Sequence, residues 1–270
     1  MQVTRRSSVL LALSLLGSTA AFAEPPAKLP PPKPKAPVVS RYAGQVRTWH
    51  APVLGPIPID EAGRPLLVLQ VESTGDRVEL RAASEHGGFA ATDLDRVAAV
   101  LREPQSGNTH PIEPRLVDLV YDLETHFQSR EIRVISGYRT PRARSASNHG
   151  KGRAIDLVVP GTTDADAAEY ARTLGFVGVG IYPTSGFVHV DVRDRSYFWS
   201  DSSGPGRRNR ERGILGDLAA SSDRSAVARG AAPSRGFGML FDVDAALRAR
   251  GVAAIPVLEE EEDVDGEESP

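Results

Sequence analysis

The two ends of this chain confine its fold more tightly than any other feature. Glu24 to Pro37 carries seven prolines and three lysines. Proline fixes φ and offers no N–H, so the stretch reads as an extended, polyproline-like tether. At the other end, Glu259 to Glu268 carries eight acids, a self-repelling run that reads as a solvated tail. Taking those eight acids from a formal net charge of −3 leaves +5 on the remainder. The near-neutral total therefore conceals a basic body.

Ahead of the tether, Arg5 and Arg6 precede an apolar stretch, Val9 to Ala20, and then Ala21-Phe22-Ala23. That order is expected of a cleavable export signal, cut before Glu24. Thr4-Arg5-Arg6 hints at the twin-arginine route, although Ser7-Ser8 weakens the match, and an uncleaved N-terminal anchor is the other reading. The apolar stretch is short for a bilayer, and no later segment reaches the roughly 20 apolar residues a spanning helix needs. Asp201 to Pro270 is rich in Gly, Ser, Arg and Ala and is expected to be largely disordered, with one helix around Phe241 to Arg250. The expected organisation is a signal peptide at 1–23, a Pro-rich linker at 24–40, a folded domain at 41–200 and a C-terminal extension at 201–270.

The middle is long enough for one packed core. Leu66 to Val71 and Arg77 to Arg81 flank Ser73-Thr74-Gly75-Asp76 and read as a β-hairpin. Thr92 with Asp95 resembles a capping box opening a helix through Leu101. Pro114 suits the first turn of the next helix, along which Leu116, Leu119, Val120, Leu123 and Phe127 recur at helical spacing. Strands are expected at Ile132 to Ile135 and Ala154 to Val159, with a helix at Asp164 to Leu174 closed by Gly175. Val177 to Tyr182 and Phe187 to Val192 then form a second hairpin. This order predicts an α+β domain, with helices packed on one face of a mostly antiparallel sheet.

Two strands carry charge where apolar sequence dominates. In Phe187-Val188-His189-Val190-Asp191-Val192 the three valines share one face, and His189 and Asp191 share the other. In Ala154-Ile155-Asp156-Leu157-Val158-Val159, Asp156 points away from Ile155, Leu157 and Val159. A carboxylate in such company is costly unless solvated, paired or bound to a cation. The loop Ser147-Asn148-His149-Gly150-Lys151-Gly152 leads into the Asp156 strand and could return His149 over its start. The chain has no cysteine and six histidines, so thiolate zinc sites, disulfides and a Cys nucleophile are excluded. Two imidazoles and a carboxylate would suit an open tetrahedral zinc site. Spacing alone leaves open that the three are separate, ordinarily paired residues. His50, His86, His110 and His126 lack ligand spacing.

Ser147-x-His149-x-x-Gly152-x-Ala154-x-Asp156, with the later His189, resembles the zinc D-Ala-D-Ala metallopeptidase superfamily, which shares its fold with the hedgehog signalling domain. The closer resemblance is to the periplasmic murein endopeptidase K subgroup. It rests on Ile135-Ser136-Gly137-Tyr138-Arg139 and on Gly178-Val179-Gly180-Ile181-Tyr182-Pro183-Thr184-Ser185-Gly186-Phe187-Val188-His189-Val190-Asp191, with Trp199 beyond. The resemblance implies a hedgehog/D-Ala-D-Ala-peptidase-like fold and zinc (Zn2+) held by His149, Asp156 and His189. It implies Arg139 as an oxyanion or carboxylate partner, a loop salt bridge being its other reading, and Ser147 as a substrate contact or a turn cap. Relatives often carry a Glu or His just before the last ligand as general base, and Thr184 to Val188 contain neither. Asp191 is the nearest candidate, as base or as a support that orients His189. Arg142, Arg144, Lys151 and Arg153 suggest a basic rim suited to peptidoglycan stem peptides. Export and the lack of an aromatic stacking pattern argue against nucleic acid. The expected activity is exported murein endopeptidase; the alternatives are a D,D-carboxypeptidase with the same site and a catalytically impaired peptidoglycan binder.

Overall fold

Period-two alternation builds one sheet with one apolar side. Leu67, Leu69 and Val71 of β1 (Leu66–Val71), Val78 and Leu80 of β2 (Arg77–Arg81), and Ile132 and Val134 of β3 (Ile132–Ser136) join a single buried cluster. Ile155 and Leu157 of β4 (Ala154–Val158), Val177 and Val179 of β5 (Val177–Tyr182), and the three valines of β6 (Phe187–Val192) complete its sheet side. Each such side chain contributes about 1.5–3 kcal/mol on full burial. The structure is a computed structural model that describes residues 41–141, 147–204 and 213–233. The expected signal peptide, linker, second C-terminal helix and acidic tail lie outside these residues, as do Arg142 and Arg144.

With β7 (Tyr197–Ser200) and β8 (Gly213–Ile214), the strand order is β2-β1-β3-β4-β6-β5-β7-β8. The domain is α+β, as expected. The sheet is mixed: five of its strand pairings are antiparallel, but β1 runs parallel to β3, and β5 runs parallel to β7. The long crossover from β1 to β3 through two helices permits the first of these pairings.

Four helices cover the apolar side, α2 (Ala91–Val100) through Val97. α3 (Pro114–His126) supplies Leu116, Leu119, Val120 and Leu123, and α4 (Asp164–Thr173) supplies Ala167, Ala168 and Ala171. Thr163 caps α4 by accepting from the Asp166 amide at 3.1 Å. α5 (Gly216–Ala228) buries Ala219, Ser222 and Ala226. It stands where the sequence reading expected little regular structure. Its buried stripe is two alanines and a serine, small residues that give almost no hydropathy signal. Gly175 accommodates it closely, since a Cβ there would sit 2.2 Å from the Ala226 Cβ.

Two further differences are local. α2 (Ala91–Val100) starts without a side-chain cap, its N-cap position being Ala90, so the Thr92–Asp95 capping box does not form. α1 (Arg41–His50), unforeseen in the sequence, lies on the other side of the sheet from the apolar cluster. Arg133, which alternates with core-facing Ile132 and Val134, donates to the Trp49 carbonyl at 2.8 Å and also to that of Thr48.

Candidate metal centre

The site lies on the face opposite the apolar cluster, along one line of paired residues. Ser136 of β3 pairs with Asp156 of β4, Asp156 with His189 of β6, His189 with Gly180 of β5, and Gly180 with Trp199 of β7. Directly paired residues share a face, so this register brings Asp156 beside His189. The line beside it joins Ala154, Asp191, Gly178 and Tyr197. Gly178 and Gly180 are required by their neighbours. A Cβ at Gly178 would stand 2.2 Å from Asp191 Oδ2, and one at Gly180 would stand 2.3 Å from the Trp199 ring.

His149 arrives from outside the sheet, on a single 3-10 turn at Asn148–Lys151 that ends in left-handed Gly152. One donor atom from each of His149, Asp156 and His189 lies within 4.8 Å of the others, and all three residues are buried. His149 Nε2 is 3.2 Å from His189 Nδ1. Asp156 Oδ1 is 2.8 Å from His189 Nδ1 and 3.3 Å from His149 Nε2.

The outer contacts decide which ring nitrogens face inward. His149 Nδ1 lies 2.7 Å from the Gly137 carbonyl, and His189 Nε2 lies 2.9 Å from Asp191 Oδ2. Both partners only accept, so these two nitrogens carry the protons. His149 Nε2 and His189 Nδ1 therefore face Asp156 Oδ1. Two imidazole nitrogens and a carboxylate oxygen converging from three separate segments fit a divalent cation. Each histidine has its other nitrogen anchored, as metal-ligating histidines characteristically do.

Asp191 is wholly buried. Arg193 grips it with a two-pronged fork, Nε to Oδ1 at 2.6 Å and Nη2 to Oδ2 at 2.7 Å. Burial alone would raise its pKa, but the bonds to His189 and Arg193 and their charges hold it far below the usual carboxylate range. Burial would likewise raise Asp156, yet the charges and hydrogen bonds of His149 and His189 keep it well below that range. Burial lowers His189, and this is overcome by hydrogen bonds to Asp156 and Asp191 and by their charges, which push it up to about 9.

Arg139 lies at the rim, its side chain half-exposed. It donates from Nε to Ser136 Oγ at 2.8 Å and from Nη2 to Asp156 Oδ2. Arg139, Ser147 and Asp191 join the three candidate ligands around a cavity of about 300 Å³, with Tyr182 and Trp199 forming an aromatic wall. The Trp199 indole N–H donates to the Tyr182 hydroxyl at 3.1 Å.

Of the rim cations expected from sequence, Lys151 and Arg153 do not line this cavity, whereas Arg193 does. Sequence reasoning passed over Arg193, although it stands two residues after Asp191. The other four histidines are elsewhere: His50 faces Asp164 at 3.6 Å, His110 stacks on Tyr138, His126 stacks on Tyr170, and His86 is exposed.

A buried His–Asp–His cluster on a mixed sheet, backed by a carboxylate and edged by an arginine, defines a candidate metallohydrolase centre. A family model described as "Peptidoglycan L,D-endopeptidase MepK" matches residues 61–197, and the chain belongs to that family. It is similar to the probable peptidoglycan L,D-endopeptidase MepK of Haemophilus influenzae, 34% identical over 118 residues, 39% of this chain and 63% of the relative. It is also similar to the peptidoglycan L,D-endopeptidase MepK of Escherichia coli K12, 32% identical over 117 residues, 39% of this chain and 64% of the relative. The chain thus spans a little under two thirds of the length of these curated relatives. No solved structure matches the chain.

Proposed function

We propose that this protein is an exported, zinc-dependent peptidoglycan endopeptidase that hydrolyses peptide cross-links between stem peptides. The names of its relatives support a bond joining an L- to a D-configured centre. The observation that carries the reading is the buried convergence of His149, Asp156 and His189 within 4.8 Å, in a chain of this family. Zinc held by these residues would supply a Lewis acid and a water activated at neutral pH.

The chain's own groups do the rest. Gly137 and Asp191 hold the two imidazoles by their outer N–H groups, fixing which nitrogens face inward. Arg139 steadies Asp156 through Oδ2 and offers its remaining donors, from a five-donor fork, to the oxyanion that develops on the scissile carbonyl or to a substrate carboxylate. Ser147 contributes a hydroxyl at the same rim. Complete burial and the Arg193 fork support Asp191 as a positioning group for His189 rather than a proton acceptor.

Residues 1–23 direct export and 24–40 act as a tether in this reading, and the periplasm is the compartment in which the substrate lies. Among the described residues, no helix is long and apolar enough to cross a membrane.

The test is metal analysis combined with digestion of purified cross-linked muropeptides. Conversion of dimers to monomers, together with loss of zinc and turnover in His189→Ala, is the expected result. Release of terminal D-Ala alone would indicate a carboxypeptidase. No turnover by zinc-loaded protein would indicate a peptidoglycan binder. Substantial activity in His189→Ala would overturn the metal assignment.

A further inference from the structure

A second, larger cavity of about 620 Å³ adjoins the metal centre, and Arg139 and Ser147 line both. Its floor is the end of β3. The pairing of β1 with β3 stops at Val71 with Val134, whereas β3 continues to Ser136 and the chain runs on into Gly137. Beyond Val134, where the pairing with β4 shifts register, β3 has no strand on its β1 side among the described residues; Ile135 and Ser136 line the cavity there, and Gly137 closes its end, buried against the Leu101 backbone. An open strand edge is a template for an extended peptide, which gains main-chain hydrogen bonds along it and specificity from flanking walls.

The opposite wall is tied to the arginine segment. Glu103, just past α2, accepts from the Thr140 hydroxyl at 2.7 Å and the Thr140 amide at 3.3 Å. Tyr138 N–H donates to the Leu101 carbonyl at 2.8 Å. The wall after α2 and the loop carrying Arg139 are thus braced against each other across the cavity floor. Arg102 adds a guanidinium to this wall. Its partner Asp76 lies at 2.7 Å, and both side chains are about one third exposed, at 34% and 33%. A guanidinium has five donors, so Arg102 keeps others for a ligand carboxylate beside this ion pair.

We propose that this cavity is the binding subsite for one of the two stem peptides joined at the scissile bond. The peptide lies extended along the open edge of β3, with Arg102 and Arg139 facing its free carboxylates. The inference rests on the peptidase reading and deepens it by naming where the substrate peptide runs. The occupant follows from continuity with the metal centre and from charge: among the described lining residues two arginines stand against one acid, Glu103, which is engaged with Thr140, and peptidoglycan stem peptides carry free carboxylates.

Two measurements test it on the metal-loaded protein. In the first, cross-linked muropeptide dimers are digested by wild type, Arg102→Gln and Gln105→Trp. Gln105 is an exposed lining residue on the same wall, so tryptophan there narrows the cavity without touching the metal centre. Both variants should raise KM about tenfold, with kcat and zinc content within twofold of wild type. In the second, an uncross-linked tetrapeptide is titrated against labelled wild-type protein. Amide shifts should concentrate at Ser73, Arg102 to Gln105 and Ile135 to Gly137. Wild-type cleavage with unchanged KM in both variants, or shifts confined to the Tyr182–Trp199 wall, overturns the subsite and leaves the peptidase reading standing. Neither cleavage nor peptide binding by wild type overturns both.

Discussion

Asp191 shows how much one carboxylate's surroundings decide. It shares a strand face with His189, and residues two apart on a strand lie about 7 Å apart along the chain. That spacing alone would leave room for a water between them. In the structure the two side chains lean together to 2.9 Å, and Arg193 closes around the far side. A positioning carboxylate predicts that Asp191→Asn lowers zinc affinity by about 10–100-fold, with activity falling alongside, as measured by competition with a chelator. Unchanged affinity with a large loss of kcat would identify it as the base instead. Glu124 is a second buried acid, remote from the metal centre. It accepts the Val68 amide at 3.0 Å through Oε1, while Oε2 is buried and unbonded. Burial raises its pKa well above the ordinary 4.5, outweighing the Val68 bond and the charge of Arg77. The folded state therefore holds a proton that the unfolded chain releases, so this group's contribution to stability declines as pH rises from about 4.5 toward its folded pKa. Glu124→Gln, which keeps an acceptor for Val68, should flatten that decline in urea unfolding followed across pH.

At the scale of elements, most strands were legible because alternation on a half-buried sheet leaves a strong record. β5 and β6 run as expected from Val177 to Tyr182 and from Phe187 to Val192. Asp156 and His189 were legible for a related reason: ionisable residues stood out against valine, isoleucine and leucine, whereas His149, in a polar loop, stood out only through the motif that contains it. What the sequence could not display was register. That Asp156 faces His189 depends on β6 lying between β4 and β5, a long-range pairing that no local pattern encodes. The glycines of Gly178-Val179-Gly180 were visible as a motif, while their purpose appeared only with Asp191 and Trp199 seated over them. Gly178→Ala should destabilise the fold by about 1–3 kcal/mol through overpacking and weaken metal binding by displacing Asp191. Gly44→Ala is the control. It sits in α1 with open space around it, and it should gain roughly 0.5–1 kcal/mol from helix propensity. Equal effects of the two in denaturant titrations would discount the close-approach argument.

Across the whole molecule, α5 is tied to the metal centre through the main chain. Asp223 accepts the Phe176 amide at 2.7 Å and the Ser196 amide at 2.9 Å, and the Phe176 carbonyl in turn accepts the Arg193 amide at 3.0 Å. Arg193 is the residue that grips Asp191. Asp223→Ala leaves two amides without their partner, at a cost of about 1–3 kcal/mol for each buried group left unpaired. Its unfolding midpoint should fall, and Asp223→Asn should recover part of the loss. An unchanged midpoint would show α5 to be dispensable. The same wholeness bears on how the protein would acquire the proposed cation. The three donor groups come from a turn and two strands and meet only when β6 has docked against β4, so an unfolded chain has no site to load. On the proposed reading of an exported zinc enzyme, the export route would decide which compartment supplies the metal: a chain threaded through unfolded would take it after crossing, and a chain moved in the folded state could bring it along.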